Sequence, residues 1–425
     1  MKTAITKGRI FNSETGWTEC ENILIENDRI FAIDGCLETF SADEVIVADN
    51  QWIIPGLIDL NVSLREPGFP EKGSIASETK AAVAGGVTTL CCPPDTLPVN
   101  DSKAVSNLIE EQASRYGHCR VLPLGAVTKG LKGESLSEYS ALKKAGCIAL
   151  SSAFNPFKNL SVAKRCFEYA KTHGLSVFVN PLEPSLHKGV VHAGQISTTI
   201  GLQGIPSVAE TIAVAQLIQL AHTTGAHLHL SQISAAESVN LVADAKTRDI
   251  PVTADVSIHN LLYTDRDTLN FNSLFHCQPP LRAESDRQAL ISGVTNGTID
   301  AITSAHQPHE AAAKLMPFAE TEPGISGVEL ILTLAVQLHD QDDLPLDTFI
   351  RAMTDGAARV LRRPSPSLVP GETADLCIYD PSHRWLCTPE TLVSTGSNTP
   401  LLNQELSGRV RSTLVAGRTV YRLVE

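Results

Sequence analysis

Four histidines near predicted strand ends are the residues best suited to metal chemistry: His227, His229, His306 and His309. Imidazole nitrogen is a common zinc ligand, so such a cluster could hold a metal ion and activate a bound water. However, His227 and His229 fall inside one predicted strand and share a face, whereas His306 and His309 fall on a predicted loop. We therefore expect these histidines to pack or form hydrogen bonds rather than to bind a metal.

Serine and cysteine side chains offer a second chemistry, nucleophilic catalysis. Ser63 and Ser152 follow predicted strands, but the sequence has no Gly-x-Ser-x-Gly motif of the kind that exposes a nucleophilic serine. The ten cysteines are scattered without a Cys-x-x-Cys pair, and Cys91 and Cys92 would point to opposite faces of a strand. We expect the two serines to be polar fillers and most cysteines to be buried small hydrophobic residues.

The elements that must position these residues alternate between strand-like and helix-like segments. Eight apolar runs of strand length are separated by helical patterns: 53–60, 87–92, 120–124, 147–151, 175–180, 227–230, 250–256 and 299–303. Ser74 is a predicted helix N-cap, and Ser207 with Glu210 forms a predicted capping box for a helix that runs to about His222. Eight such units predict a (β/α)8 barrel over 51–364, with any site at the C-terminal strand ends. An open doubly wound sheet is the alternative, but no Gly-x-Gly-x-x-Gly follows a predicted strand.

Short β patterns at both ends of the chain predict a second, smaller domain. Two strand-like runs flank Asn27-Asp28, a pair that tolerates hairpin turn geometry. The runs 374–380 and 409–421 are similar, and a Pro/Ser/Gly-rich link at 364–371 separates them from the preceding helical pattern. The sequence therefore predicts an α/β protein, a TIM-like barrel with a small β-sandwich domain built from both termini, 1–50 and 365–425.

Composition and charge restrict the partners of this chain. Its 425 residues are 43% hydrophobic and 19% charged, and 34 basic against 47 acidic residues give a net charge of −13. We expect no nucleic-acid or anionic-membrane partner, because there is no excess of basic groups to neutralise phosphates. The chain also lacks a run of roughly 18 apolar residues and an apolar segment after Met1, so we expect a cytoplasmic protein.

Motifs in order along most of the chain resemble the dihydroorotases of the amidohydrolase superfamily. They are Pro-Gly-Leu-Ile-Asp at 55–59, Leu-Arg-Glu-Pro-Gly at 64–68, Gly-Gly-Val-Thr-Thr at 85–89, Cys-Pro-Pro-Asp-Thr at 92–96, Gly-Ala-Val-Thr-Lys-Gly at 125–130, Pro-Pro-Leu-Arg at 279–282 and Gly-Ile-Ser-Gly-Val-Glu at 324–329. The resemblance implies a barrel whose mouth holds one or two zinc ions. Zinc lowers the pKa of a water so that hydroxide can attack the dihydroorotate ring amide.

The resemblance also implies which positions would ligate zinc, and this chain has neutral residues at all of them. Asn61 and Ser63 stand in place of the family's His-x-His, and Ser152 (or Ala153) stands in place of its ligand aspartate. Asn180 and Gln232 replace the two later histidines, and Ala305 replaces the proton-shuttling aspartate. Amides and hydroxyls are poor zinc ligands, and loss of the general base removes the proton acceptor. The resemblance therefore implies a protein without zinc or another cofactor and without catalytic residues.

Part of the family's substrate-carboxylate site remains. By motif, Arg65 matches the arginine that binds the dihydroorotate carboxylate, and His309 matches the histidine that assists it. Asp95 and Gln278 stand where the family has asparagine. An aspartate would repel a carboxylate ligand, so we expect a salt bridge between Arg65 and Asp95 to fill this vestigial site. Retained anion binding is the alternative.

These features resemble the inactive dihydroorotase-like chains of some bacteria, which associate with the catalytic chains of aspartate carbamoyltransferase. The resemblance implies a noncatalytic assembly subunit of pyrimidine biosynthesis that also pairs with itself. One alternative is a zinc amidohydrolase that uses ligands outside the motif positions. Another is a metal-free sensor of a small anionic metabolite, which would bind through Arg65 and His309.

Overall fold

A computed structural model describes residues 1–424, and its strands form one barrel, one β domain and a separate two-stranded sheet. In chain order the strands are β1 (Lys2–Thr6), β2 (Arg9–Asn12), β3 (Gly16–Glu19), β4 (Asn22–Glu26), β5 (Arg29–Ile33), β6 (Glu44–Val47), β7 (Trp52–Pro55), β8 (Leu57–Asp59), β9 (Val87–Cys92), β10 (Arg120–Ala126), β11 (Ala149–Ser151), β12 (Val177–Val179), β13 (Val191–His192), β14 (Gly204–Ile205), β15 (Leu228–Leu230), β16 (Val252–Ser257), β17 (Ala301–Thr303), β18 (Leu376–Leu386), β19 (Glu405–Val415) and β20 (Arg418–Arg422).

The helices lie mainly between the barrel strands. They are α1 (Leu37–Phe40), α2 (Ile75–Ala84), α3 (Lys103–Tyr116), α4 (Tyr139–Lys144), α5 (Leu160–His173), α6 (Gln195–Ile200), α7 (Val208–Thr224), α8 (Ala236–Thr247), α9 (Ile258–Leu262), α10 (Glu284–Thr295), α11 (Ile331–Asp340), α12 (Leu346–Arg351) and α13 (Ala357–Leu361). A π-helical turn, Ala352–Gly356, joins α12 to α13. No helix in residues 1–424 is both long and apolar enough to span a membrane.

Eight parallel strands form the predicted barrel, in the order β8, β9, β10, β11, β12, β15, β16 and β17. The first and last strands meet just beyond their ends. There Val62 forms a parallel bridge with His306, and Ser63 donates its backbone N–H to the His306 carbonyl at 2.9 Å. The Thr303 hydroxyl also donates to Asp59 Oδ1 at 2.5 Å. These contacts join the two edges, so the prediction of an α/β barrel is confirmed.

The predicted first barrel strand, 53–60, is wrong in extent because the chain changes sheets at Gly56. The segment before it, β7, pairs with β18 and β2 in the terminal β domain, while β8 pairs with β9 in the barrel. A Cβ atom at Gly56 would lie 2.2 Å from the Thr88 hydroxyl oxygen, so the crossover needs a residue without a side chain. The segments on both sides of Gly56 are apolar, so the hydrophobic pattern of the sequence does not show that they belong to different sheets.

The terminal β domain consists of two packed sheets. Their strand orders are β5-β4-β1-β6 and β20-β19-β18-β7-β2-β3. Buried residues of both sheets form one core, including Ile5, Ile25, Ile53, Ile378 and Leu414. The structure therefore confirms a small β unit built from both ends of the chain.

The two predicted helix caps have different outcomes. Ser74 caps α2, because its hydroxyl accepts the Ser77 N–H at 3.0 Å and the Ser77 hydroxyl accepts the Ser74 N–H at 2.9 Å. The helix predicted after Ser207 is present as α7, but its capping box is wrong because Ser207 makes no side-chain cap. The Glu210 carboxylate is buried and accepts the Ser234 N–H at 2.9 Å instead.

Candidate functional site

The six positions that the motifs assign to catalysis lie at the C-terminal ends of five barrel strands. Asn61 and Ser63 follow β8, and the others follow β11, β12, β15 and β17 in the order Ser152, Asn180, Gln232 and Ala305. Parallel barrel strands present their C-terminal ends at the same face. The fold therefore brings these positions to the mouth of the barrel, as the motif order predicts.

The side chains at these positions make few interactions. The Ser152 hydroxyl donates to the Ala153 carbonyl at 3.0 Å, and the Asn180 amide donates to the Ser231 carbonyl at 3.3 Å. The Ser63 hydroxyl and both polar atoms of the Gln232 amide are buried without a hydrogen-bond partner. Among residues 1–424, neither serine is bonded to a histidine or carboxylate that could accept its proton, so these serines lack the geometry of an activated nucleophile.

This donor set does not fit the zinc centre that the resemblance implies. Zinc sites in proteins use thiolate, imidazole or carboxylate, and the six positions offer only hydroxyls, amides and a methyl group. Within residues 1–424, no three or more His, Cys, Asp or Glu side chains are grouped so that they could hold a metal ion. The residues at the mouth are therefore unsuited to binding zinc by the family arrangement.

The backbone at the mouth is strained at four of the predicted site positions. The φ angles of Arg65, Ala153, Gln232 and Ala305 are 62°, 45°, 55° and 48°. A left-handed conformation costs a residue with a Cβ about 1–2 kcal/mol, and such strain tends to occur at functional sites. The strand ends thus keep a strained backbone, although the side chains at the six motif positions lack metal-binding groups.

A small cavity lies beside these residues. Asn180, Gln232, Gln278 and Arg282 contribute to its walls, and its volume is about 20 Å³. A water molecule needs about 10–15 Å³ of such space, so the cavity has room for about one water.

Two of the candidate histidines, His229 and His306, are held by hydrogen bonds. In the barrel, His229 Nε2 lies 2.8 Å from Asp255 Oδ2 and its Nδ1 lies 2.9 Å from the Thr253 hydroxyl. His306 Nε2 lies 2.8 Å from Glu78 Oε2, and its Nδ1 accepts the Gly327 N–H at 3.1 Å. Each ring thus joins separate elements of the fold.

The predicted salt bridge between Arg65 and Asp95 is wrong. In residues 1–424 these two side chains form no ion pair; Arg65 Nε instead donates to the Pro308 carbonyl at 3.0 Å. Burial raises the pKa of Asp95, and the nearby charge of Arg65 opposes this rise. The loop after β17 supplies an acceptor for the guanidinium that the sequence motifs do not reveal.

His309 contacts Arg65 directly. His309 Nε2 lies 3.2 Å from Arg65 Nη2 and 3.0 Å from the Pro323 carbonyl oxygen, and His309 Nδ1 lies 3.4 Å from Glu322 Oε2. Burial, and next the positive charge of Arg65, lower the pKa of His309 to about 3. The imidazole is therefore neutral near pH 7, so His309 does not add positive charge for an anion.

Sequence reasoning missed four buried carboxylates that organise the mouth: Asp59, Glu78, Glu210 and Asp255. Each accepts several hydrogen bonds; for example, Asp255 accepts the Gln232 N–H at 2.7 Å in addition to its contact with His229. A buried carboxylate is costly unless it is well bonded, so these groups hold the strand ends in place. An isolated acidic residue within a strongly apolar run was the signal that could have found Asp59.

Comparison with known proteins relates this chain to dihydroorotase-like proteins. The family model described as "Dihydro-orotase-like" matches residues 50–238. A "Dihydroorotase-like protein" of Pseudomonas aeruginosa is 42% identical over 422 residues, which cover 99% of this chain and 100% of that protein. A "Dihydroorotase" of Syntrophotalea carbinolica is 38% identical over 424 residues, with 100% of both chains covered. An "L-Hydantoinase (Dihydropyrimidinase) from Arthrobacter aurescens" has a similar fold, with a TM-score of 0.88, 19% identity, and coverage of 100% of this chain and 97% of that chain.

Proposed function

The chain belongs to the dihydroorotase-like family of amidohydrolases, and we propose that it is a noncatalytic member that serves as an assembly subunit in pyrimidine biosynthesis. The observation that carries the proposal is the chemistry of the barrel mouth, where all six motif positions have neutral side chains. Such side chains supply neither zinc ligands nor a general base.

The proposal names the catalytic chains of aspartate carbamoyltransferase as the partner, in the cytoplasm. The chain keeps a complete barrel although the mouth of that barrel has no reactive groups. This combination is best explained if the function of the protein depends on its outer surface. The name "Dihydroorotase-like protein" given to relatives in Pseudomonas aeruginosa and Pseudomonas putida also supports a role distinct from dihydroorotase activity. No cofactor is needed for this role, and pairing of the chain with itself is compatible with it.

The test is to mix the purified full-length chain with aspartate carbamoyltransferase of the same organism and measure mass by light scattering. We expect one complex heavier than either protein and a carbamoyltransferase that survives heating better in the complex. A mixture that contains only the separate proteins would contradict the assembly role.

A catalytic role is the second candidate, because relatives named "Dihydroorotase" are 36–38% identical over almost the whole chain. It requires zinc ligands outside the motif positions. Elemental analysis and a dihydroorotate assay distinguish the two roles, with a dihydroorotase that retains its His-x-His motif as the positive control. Stoichiometric zinc together with turnover would establish the enzyme, whereas a metal-free chain without turnover agrees with the noncatalytic role.

A further inference from the structure

An open groove lies between the bottom of the barrel and the terminal β domain. On the barrel side it is lined by residues 117–120, which lead from α3 into the start of β10. On the domain side it is lined by Met1, by the turn at Asn27 and Asp28, and by the turn between β19 and β20. Barrel strands begin at the face opposite the mouth, so this groove is separate from the candidate site. Its volume is about 650 Å³, and small-molecule sites occupy about 300–1,000 Å³.

Positively charged residues predominate in the walls of this groove. Met1 with its α-ammonium group, Arg120 and Arg418 line it, and Asp28 is the one carboxylate among the described residues that do so. The chain as a whole has a net charge of −13, so the groove runs against the overall charge of the protein. A cleft lined mainly by one sign of charge concentrates ligands of the opposite sign. The groove is therefore suited to an anion.

The carboxylate of Asp375 holds both walls of the groove in place. It forms an ion pair with Arg120 through both of its oxygens, and Oδ1 lies 3.1 Å from Arg120 Nη2. The same oxygen accepts the backbone N–H of Ala416, in the β19–β20 turn, at 2.7 Å. That turn also packs tightly on the first turn of the domain, because a Cβ at Gly417 would lie 1.9 Å from the Asn27 carbonyl oxygen. Walls that are already fixed reduce the ordering cost of binding.

Other polar groups in the groove are free to contact a ligand. Among residues 1–424, the exposed Arg418 side chain forms no ion pair or hydrogen bond. The Met1 ammonium donates to an uncharged acceptor, Asn27 Oδ1, at 3.1 Å. Burial, and next the positive charge of Lys80, lower the pKa of His118, so this lining residue is neutral near pH 7 and offers one N–H donor.

We propose that this groove binds a small molecule that carries at least two negative charges, as phosphate or carboxylate groups. The two free cations, Arg418 and the Met1 ammonium, match such a molecule through charge-assisted hydrogen bonds. Asp28 repels an anion and so limits its affinity. The lining residues come from both the barrel and the β domain, so a bound anion bridges these two units and stabilises the folded chain.

The test is calorimetric titration of the full-length chain with pyrophosphate and, separately, with citrate at low ionic strength. We expect saturable binding with a dissociation constant below about 1 mM and a rise in melting temperature. The anion that binds more tightly shows whether phosphate or carboxylate groups are preferred.

Three variants locate the binding. Arg418→Gln should weaken it at least about 10-fold, because a charge-assisted hydrogen bond is lost. Asp28→Asn should strengthen it about 3-fold, a gain that a folding defect does not produce. Arg384→Gln is the matched control, because Arg384 is an exposed arginine of β18 that lies outside the groove and forms no ion pair among residues 1–424. It removes the same charge and should leave the affinity unchanged.

Three results would overturn the proposal, and none of them depends on the role with aspartate carbamoyltransferase. The first is the absence of saturable binding by either anion up to about 10 mM. The second is an equal loss of affinity in Arg384→Gln and Arg418→Gln, which would show attraction to the overall charge rather than to the groove. The third is binding that Arg65→Met removes and Arg418→Gln leaves intact, which would place the anion at the mouth of the barrel.

Discussion

Replacing His259 should make the protein less sensitive to acid. This side chain lies in α9, is 3% exposed, and neither of its ring nitrogens forms a hydrogen bond of good geometry with any residue in 1–424. Burial, and next the proximity of His306, lower the pKa of His259 from 6.5 to about 3. The folded protein therefore keeps this ring neutral over a pH range in which the unfolded chain binds a proton.

The size of the effect follows from this difference in pKa. Stability from the neutral ring is fully present above pH 6.5 and is lost as the pH falls towards 3, because the unfolded state binds the additional proton. Each pH unit in that window changes the free energy of unfolding by about 1.4 kcal/mol. Lowering the pH from 6.5 to about 5 should therefore remove about 2 kcal/mol through His259 alone.

Urea unfolding at about pH 7.5 and about pH 5 measures this contribution. The His259→Leu variant cannot bind the proton, so it should lose about 2 kcal/mol less than the wild type between the two conditions. Phe349→Leu is the control, because Phe349 is fully buried and does not titrate. This variant should lower the free energy of unfolding by the same amount at both pH values. If His259→Leu and the wild type lose the same stability on acidification, the assignment of a neutral buried imidazole is incorrect.

Three further predictions concern stability and ligand binding. Glu210→Ala should lower the free energy of unfolding by about 3–5 kcal/mol in urea, because it leaves Arg282 buried without its carboxylate 3.3 Å away, and adding Arg282→Met should recover part of the loss. Gly356→Ala should lower the melting temperature, although this change usually stabilises helices, because the new Cβ would lie 1.9 Å from the Asp300 carbonyl oxygen. Dihydroorotate should leave the melting temperature unchanged, whereas a rise that disappears in Arg65→Met would support the anion-sensor alternative.

Much of the fold could be predicted because its signals are local. Helix α2 has its N-cap serine at its start and Gly85 at its end, and the hairpin between β4 and β5 turns at Asn27, whose φ is 58°. The eight strand-like runs were sufficient to predict a closed barrel. Periodicity did not reveal the change of sheet at Gly56, because that change depends on what each half of the segment pairs with.

At the candidate site the sequence determined the chemistry but not the contacts. The motifs predict that Asn61, Ser63 and Gln232 stand where the family has zinc ligands, and residue type alone decides whether a side chain can bind zinc. Only the tertiary structure decided that Arg65 bonds the Pro308 carbonyl rather than Asp95. Residue 308 is distant in sequence, and the acceptor is a backbone carbonyl, which every residue has, so no sequence pattern marks this contact.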